Sequence, residues 1–155
     1  MKLTVASAVV ETPTVLVNVS THGLEEPPVV SRNVTVYVVP ITDDPIAEWD
    51  ESRCLPAGEV GEFVVRGAVV TRSYFNRPEA TKLAKIKDPA TGDVLHRMGD
   101  VGYRDDRGRL WYCGRKSHRV VTPHGTLFTE MVEGVFNTVP GVFRTALVGV
   151  DHLDR

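Results

Sequence analysis

The stretch Arg97-Met98-Gly99-Asp100-Val101-Gly102-Tyr103-Arg104-Asp105-Asp106-Arg107-Gly108-Arg109-Leu110-Trp111-Tyr112-Cys113-Gly114-Arg115 decides how this chain is read. Its residues spell a turn, a short strand, a tight hairpin and a second strand. Asp105-Asp106-Arg107-Gly108 supplies the hairpin turn, and Gly108 is free to take a positive φ there. Arg109-Leu110-Trp111-Tyr112 alternates and is rich in aromatic residues, the pattern of a half-buried strand. Asp100 opens the unit and Arg115 closes it, so a hairpin brings a carboxylate and a guanidinium towards one mouth. A carboxylate accepts hydrogen bonds from vicinal ribose hydroxyls, and a guanidinium grips ribose or phosphate oxygens in a fixed fork. On spacing alone a plainer reading competes with the nucleotide one: Asp100 caps a turn and Arg115 makes a surface ion pair.

Outward from this unit the chain is ordinary globular sequence. Its 155 residues are enough for one domain, or one domain with an attached piece. Hydrophobic residues at 42% and charged residues at 25% argue against disorder, and a net charge of −2 gives no general attraction to nucleic acid or anionic membrane. The local basic run Arg115-Lys116-Ser117-His118-Arg119 reads as a solvated loop with one nucleotide-facing arginine. Cys54 and Cys113 lie far apart, which argues against a disulfide framework or zinc site and fits a reducing cytoplasm. The five histidines show no metal-ligand spacing, and no run of about 18 apolar residues is present to span a membrane. A signal peptide is not expected, because the first apolar run is short and is soon interrupted by Glu11.

Along the chain, residues 3–19 are β-branched and broken by Pro13, which suggests two short strands. Asn33 to Pro40 alternates Val34, Val36 and Val38 against Thr35, Tyr37 and Val39, a strand stopped by Pro40. The stretch from Thr42 to Pro56 reads as a turn and an irregular surface loop, with Trp49 a local packing residue. Gly58-Glu59-Val60-Gly61-Glu62 leads into a strand that places Phe63 and Val65 on one side. Pro78 and Glu79 start a short helix to about Lys85. Asp88 to Asp93 is another turn. Val120-Val121 and Thr126-Leu127-Phe128 form a small hairpin around Gly125. Met131, Val132, Val135 and Phe136 mark an amphipathic helix over Glu130–Thr138, and Ala146–Val150 reads as a buried strand. The fold class expected is α+β, a barrel-like subdomain rich in antiparallel strands followed by a small α+β unit.

Gly99-Asp100-Val101-Gly102, Asp105-Asp106, Gly108, Leu110 and Gly114-Arg115 together resemble the signature of the acyl-adenylate-forming enzymes. That family includes acyl-CoA synthetases, luciferases and peptide-synthetase adenylation domains. Its pattern G-D-x-G-x-x-D-x-x-G-x-L-x-x-x-G-R agrees with this chain in spacing as well as residue type. The resemblance implies that Asp100 holds the ribose hydroxyls and that Arg115 contacts the nucleotide, with ATP or AMP as cofactor and Mg²⁺ needed by the full enzyme. It extends to Gly58-Glu59-Val60-Gly61-Glu62 and to Tyr74-Phe75-Asn76-Arg77-Pro78-Glu79-Ala80-Thr81, whose residue types suit scaffolding that closes a small barrel. Downstream, Val139-Pro140-Gly141-Val142 and Glu133 are similar to the opening of the family's small C-terminal domain. Residues 1–116 then correspond to the β-rich end of the large domain and 117–155 to the hinge and the start of the small one, with 1–33 unmatched. The hinge position, usually Asp or Lys, is Ser117, and Met98 stands where a Thr is usual.

Leu95-His96-Arg97-Met98-Gly99-Asp100 and Cys113 to Val120 resemble one branch in particular, the β-lactone synthetases of bacterial olefin biosynthesis. The resemblance implies ATP-dependent activation of a fatty or β-hydroxy acid through an acyl-adenylate. Adenylation needs concentrated positive charge around the α-phosphate. The family's Ser/Thr/Gly-rich phosphate loop, its adenine-stacking aromatic-Gly-x-Thr-Glu segment and its C-terminal lysine are not in this sequence. Weak AMP binding without turnover is therefore expected of the chain alone, unless a complementing chain completes it. Two classes stay open: part of an acid–AMP ligase, or a non-catalytic module derived from one and kept for nucleotide binding or protein contact.

Overall fold

The computed structural model describes residues 14–16 and 33–150. Its strands form an antiparallel sheet built from β1 (Thr14–Leu16), β2 (Asn33–Val39), β3 (Gly61–Gly67), β4 (Lys85–Lys87), β5 (Val94–Arg104) and β6 (Leu110–Arg115). Two helices, α1 (Pro78–Ala84) and α2 (Thr129–Phe136), and a separate hairpin of β7 (Val120–Thr122) and β8 (Gly125–Leu127) complete it. The class is α+β, as the residue pattern predicts.

The 11-residue β5 organises the sheet. One of its edges pairs with β3, while the other is shared: β4 takes Val94–His96 and β6 takes Asp100–Arg104. The spatial order is β1-β2-β3-β5, with β4 and β6 end to end beyond β5. The expected barrel does not close. Among the described residues no ladder joins the β1 edge to β4 or β6, so the sheet stays open and twisted.

Alternation in β2 and β3 sorts side chains into two cores. Val34, Val36, Val38, Phe63 and Val65 pack on one face with Leu55, Leu110 and Tyr112. Val39, Val64, Ile86 and Leu95 pack on the other, joined by Ile46 and Trp49 from the loop after β2. Trp49 is buried and sits 4.7 Å from the Tyr37 ring, a packing residue as its position suggests. The segment before α1 closes on itself. Tyr74 N donates to Thr81 Oγ1 at 3.0 Å, Thr81 Oγ1 donates to the Arg77 carbonyl at 2.8 Å, and Asn76 takes a φ of 51°.

One expected strand is absent. Residues 146–150 form no ladder, and Val148 and Val150 are exposed. Apolar β-branched residues become a strand only when an edge offers them hydrogen bonds, and among the described residues none does. Side chains of α2 and its C-terminal cap hold the approach to this segment instead. Leu147 N donates to Glu133 Oε1 at 2.8 Å, and Thr145 N donates to Asn137 Oδ1 at 2.8 Å. Of the two short strands expected in residues 3–19, β1 accounts for one; the other lies outside the described residues.

Candidate functional site

Two bulges shape the far half of β5. Between the pairs Glu62↔Val101 and Val64↔Arg97, β3 advances two residues while β5 advances four. The excess is taken up around Gly99, whose φ of +68° suits glycine and bends the strand. A second bulge lies on the opposite edge. Val101 pairs with Gly114 and Gly102 with Tyr112, which leaves Cys113 as the extra residue. Cys113 turns into the core, and burial pushes its thiol up to about 11.

These bulges place Asp100 directly across from Arg115 as register partners. Arg115 Nη1 donates to Asp100 Oδ1 at 2.6 Å. Arg115 is half exposed, and its guanidinium lies over Gly99: a β-carbon there would stand 3.6 Å from Nη2. Asp100 Oδ2 has no protein donor among the described residues. Tyr112 borders the pair, and burial followed by the nearby Asp100 charge raises its phenol above its ordinary value. Gly114 gives room for the start of α2, since a β-carbon there would lie 2.3 Å from Thr129 Oγ1.

The hairpin below this mouth is pinned by Asp105. Its carboxylate accepts from Trp111 Nε1 at 3.0 Å, from the Arg107 and Arg109 amides at 3.0 and 2.9 Å, and from Arg109 Nε at 2.6 Å. The Trp111 bond, with these others, holds Asp105 well below the usual carboxylate range. Gly108 has φ +76°, as the turn reading requires.

Known proteins share this segment. Over 118 residues the chain is 59% identical to the olefin β-lactone synthetase of Stenotrophomonas maltophilia (strain K279a), covering 74% of this chain and 21% of that protein. Over 99 residues it is 33% identical to the 2-succinylbenzoate–CoA ligase of Bacillus cytotoxicus, covering 64% of this chain and 19% of that protein. The chain belongs to the acyl-adenylate-forming, AMP-dependent ligase family. Among solved structures, an ATP-bound RpMatB–BxBclM chimera superposes with a TM-score of 0.59 at 28% identity, covering 78% of this chain and 22% of its own. No protein-family model matches the chain. The chain spans about a fifth of the length of the curated relatives it matches.

Within that family frame the donor set suits a nucleotide and does not suit a metal. Asp100 offers carboxylate oxygens and Arg115 a fork of N–H donors across one strand pair. Among the described residues no group of three His, Cys, Asp or Glu could hold a cation, so Mg²⁺ finds no ligand set there. Two concavities, of about 280 and 350 Å³, are lined by residues 39–53 and by residues 66–72 with 93–94. Neither includes Asp100 or Arg115, a pair whose guanidinium is half exposed.

Three features escape sequence reading. Arg97 opens the decisive stretch, yet its partners are Glu62, the carbonyls of Thr42 and Asp44, and the Leu83 carbonyl, which no spacing reveals. Glu62 shares a face with Val64, which hints at burial without naming its partner. The basic run after Gly114 is likewise misread from sequence as a solvated loop. Arg115, Lys116 and Arg119 each pair with a carboxylate, those of Asp100, Glu62 and Asp43. Ser117 sits exposed in the 3₁₀ turn Lys116–His118.

Proposed function

We propose that this chain is the nucleotide-clasping part of an ATP-dependent acid–AMP ligase that activates a fatty or β-hydroxy acid, in the β-lactone-forming branch. The observation that carries this reading is the Asp100–Arg115 register pair, set on the bulged end of β5 inside the segment that is 59% identical to an olefin β-lactone synthetase. In this reading Asp100 accepts the ribose hydroxyls through its open oxygen. Arg115 keeps one N–H on Asp100 and turns the others to nucleotide oxygens. Residues 1–116 are the β-rich end of the large domain, Ser117 is the hinge, and 117–155 open the small domain. ATP supplies the adenylyl group, and Mg²⁺ is held by residues outside this set. A cytoplasmic setting is part of the proposal. Among the described residues no helix is long and apolar enough to cross a membrane.

A second reading, a non-catalytic nucleotide-binding or interaction module, is favoured by the half-exposed Arg115 guanidinium, which no other positive side chain joins at Asp100 among the described residues. Such a pair orients a nucleotide without enclosing it, and adenylation needs the enclosing charge as well. A graft separates the two. The matched segment replaces its counterpart in the Stenotrophomonas synthetase, and ATP–pyrophosphate exchange is measured with long-chain β-hydroxy acids. The ligase reading expects exchange that falls at least tenfold with Asp100→Ala, because a charge-assisted hydrogen bond is worth about 1.5–3 kcal/mol. A folded graft without exchange supports the module instead.

A further inference from the structure

The residues after Arg115 are fastened to the sheet by charge. Lys116 Nζ donates to Glu62 Oε2 at 3.2 Å and to the Thr42 carbonyl at 3.0 Å. Arg119 Nη2 donates to Asp43 Oδ2 at 2.5 Å, and its Nη1 returns to the Lys116 carbonyl at 2.7 Å. The 3₁₀ turn at 116–118 is thus tied to the 42–44 segment at two points.

The two fastenings differ in strength. Asp43 is 71% exposed, so water and salt screen its pair with Arg119. Glu62 is only 1% exposed, so solvent screens its attraction for the Lys116 ammonium little; the Arg97 guanidinium on the same oxygen offsets part of it, and the Thr42 carbonyl gives Lys116 a second acceptor. The Asp100–Arg115 pair itself has a half-exposed guanidinium and has little hold of its own on the backbone around it. The β5–β6 ladder ends at the Asp100↔Arg115 pair, so past it the backbone has no strand partner, and the next residue along is Lys116.

We propose that Lys116 is a positioning residue: seated on Glu62 and the Thr42 carbonyl, its ammonium fixes residues 116–119 and thereby holds Arg115 opposite Asp100. The fastening stands on the fold, and its consequence for a ligand rests on the nucleotide reading above. Glu62, the second glutamate of Gly58-Glu59-Val60-Gly61-Glu62, thereby gains work beyond scaffolding. Lys116→Met isolates the effect, because Glu62 keeps both Arg97 bonds in that variant and no buried carboxylate is orphaned.

The test is hydrogen exchange on the full chain as wild type, Lys116→Met and Lys116→Arg, paired with AMP titration calorimetry. Lys116→Met is expected to speed exchange across 116–122 by about tenfold, on the scale of one lost charged hydrogen bond. β3 and β5 should exchange as before. AMP affinity should fall about three- to tenfold, and Lys116→Arg should recover both readouts at least in part. Unchanged exchange at 116–122 overturns the proposal. So does faster exchange spread equally over β3 and β5, which marks a merely structural role, or loosening at 116–122 with AMP affinity intact. If the wild type binds no AMP, the ligase reading and the positioning of Arg115 for a nucleotide fall together, while the exchange arm still decides whether Lys116 fastens the segment.

Discussion

Truncating Glu62 to alanine should destabilise the fold severely, although the residue lies outside the apolar core. Its carboxylate is 1% exposed and receives Arg97 Nη2 at 2.6 Å, Arg97 Nε at 3.1 Å and Lys116 Nζ at 3.2 Å on the same oxygen. Glu62→Ala leaves the Arg97 guanidinium, in a residue only 4% exposed, with three carbonyls and no counter-charge. Breaking one side of a buried pair costs about 3–5 kcal/mol. With a urea m-value of about 1–3 kcal/mol/M, the midpoint should fall by roughly 1–5 M, and the melting temperature by roughly 6–20 °C. Urea unfolding followed by the fluorescence of buried Trp49 reads this directly. Removing both charges as Glu62→Met with Arg97→Met should recover much of the loss, since a packed apolar pair replaces a desolvated ionic one. A loss below about 1 kcal/mol for Glu62→Ala would refute the reasoning, because it would mean that water reaches Arg97.

Two further outcomes come from the same geometry. Cys113, buried in the β6 bulge with its thiol pushed up to about 11, should resist thiol reagents at pH 8 until the sheet unfolds, whereas half-buried Cys54 should label first; mass spectrometry of the labelled peptides checks the order. Asp105 is depressed in the folded hairpin, so its stabilising contribution is fully present above the unfolded value of about 3.9 and is lost as pH falls through the lower folded value. Melts from pH 6 downward should therefore lose stability more steeply in wild type than in Asp105→Asn.

Much of this was legible from residue types because it is local. Gly108 fixes a turn, alternation in Asn33–Val39 fixes a strand and its faces, and Pro78 starts a helix. Asp100 and Arg115 could be paired because a hairpin between them makes them neighbours. The bulge at Gly99 and the Arg97–Glu62–Lys116 cluster could not, since they depend on the β3–β5 register and on a loop more than 50 residues away in sequence. The strand expected at Ala146–Val150 failed for a related reason. Its composition suits a ladder, but composition does not supply a partner edge. The barrel was likewise a statement about edges, and edges are set by long-range pairing.

In the proposed nucleotide reading Asp100 holds the ribose hydroxyls. Calorimetry comparing AMP with 2′,3′-dideoxy-AMP, on wild type and on Asp100→Ala, tests it through the ligand and the protein together. For wild type, losing both hydroxyls should weaken binding by about ten- to a hundredfold, the worth of a charge-assisted hydrogen bond. For Asp100→Ala the two ligands should bind alike, at the weaker level. An equal penalty for the dideoxy ligand in both proteins would contradict that reading, because the hydroxyls would then be held by something other than Asp100.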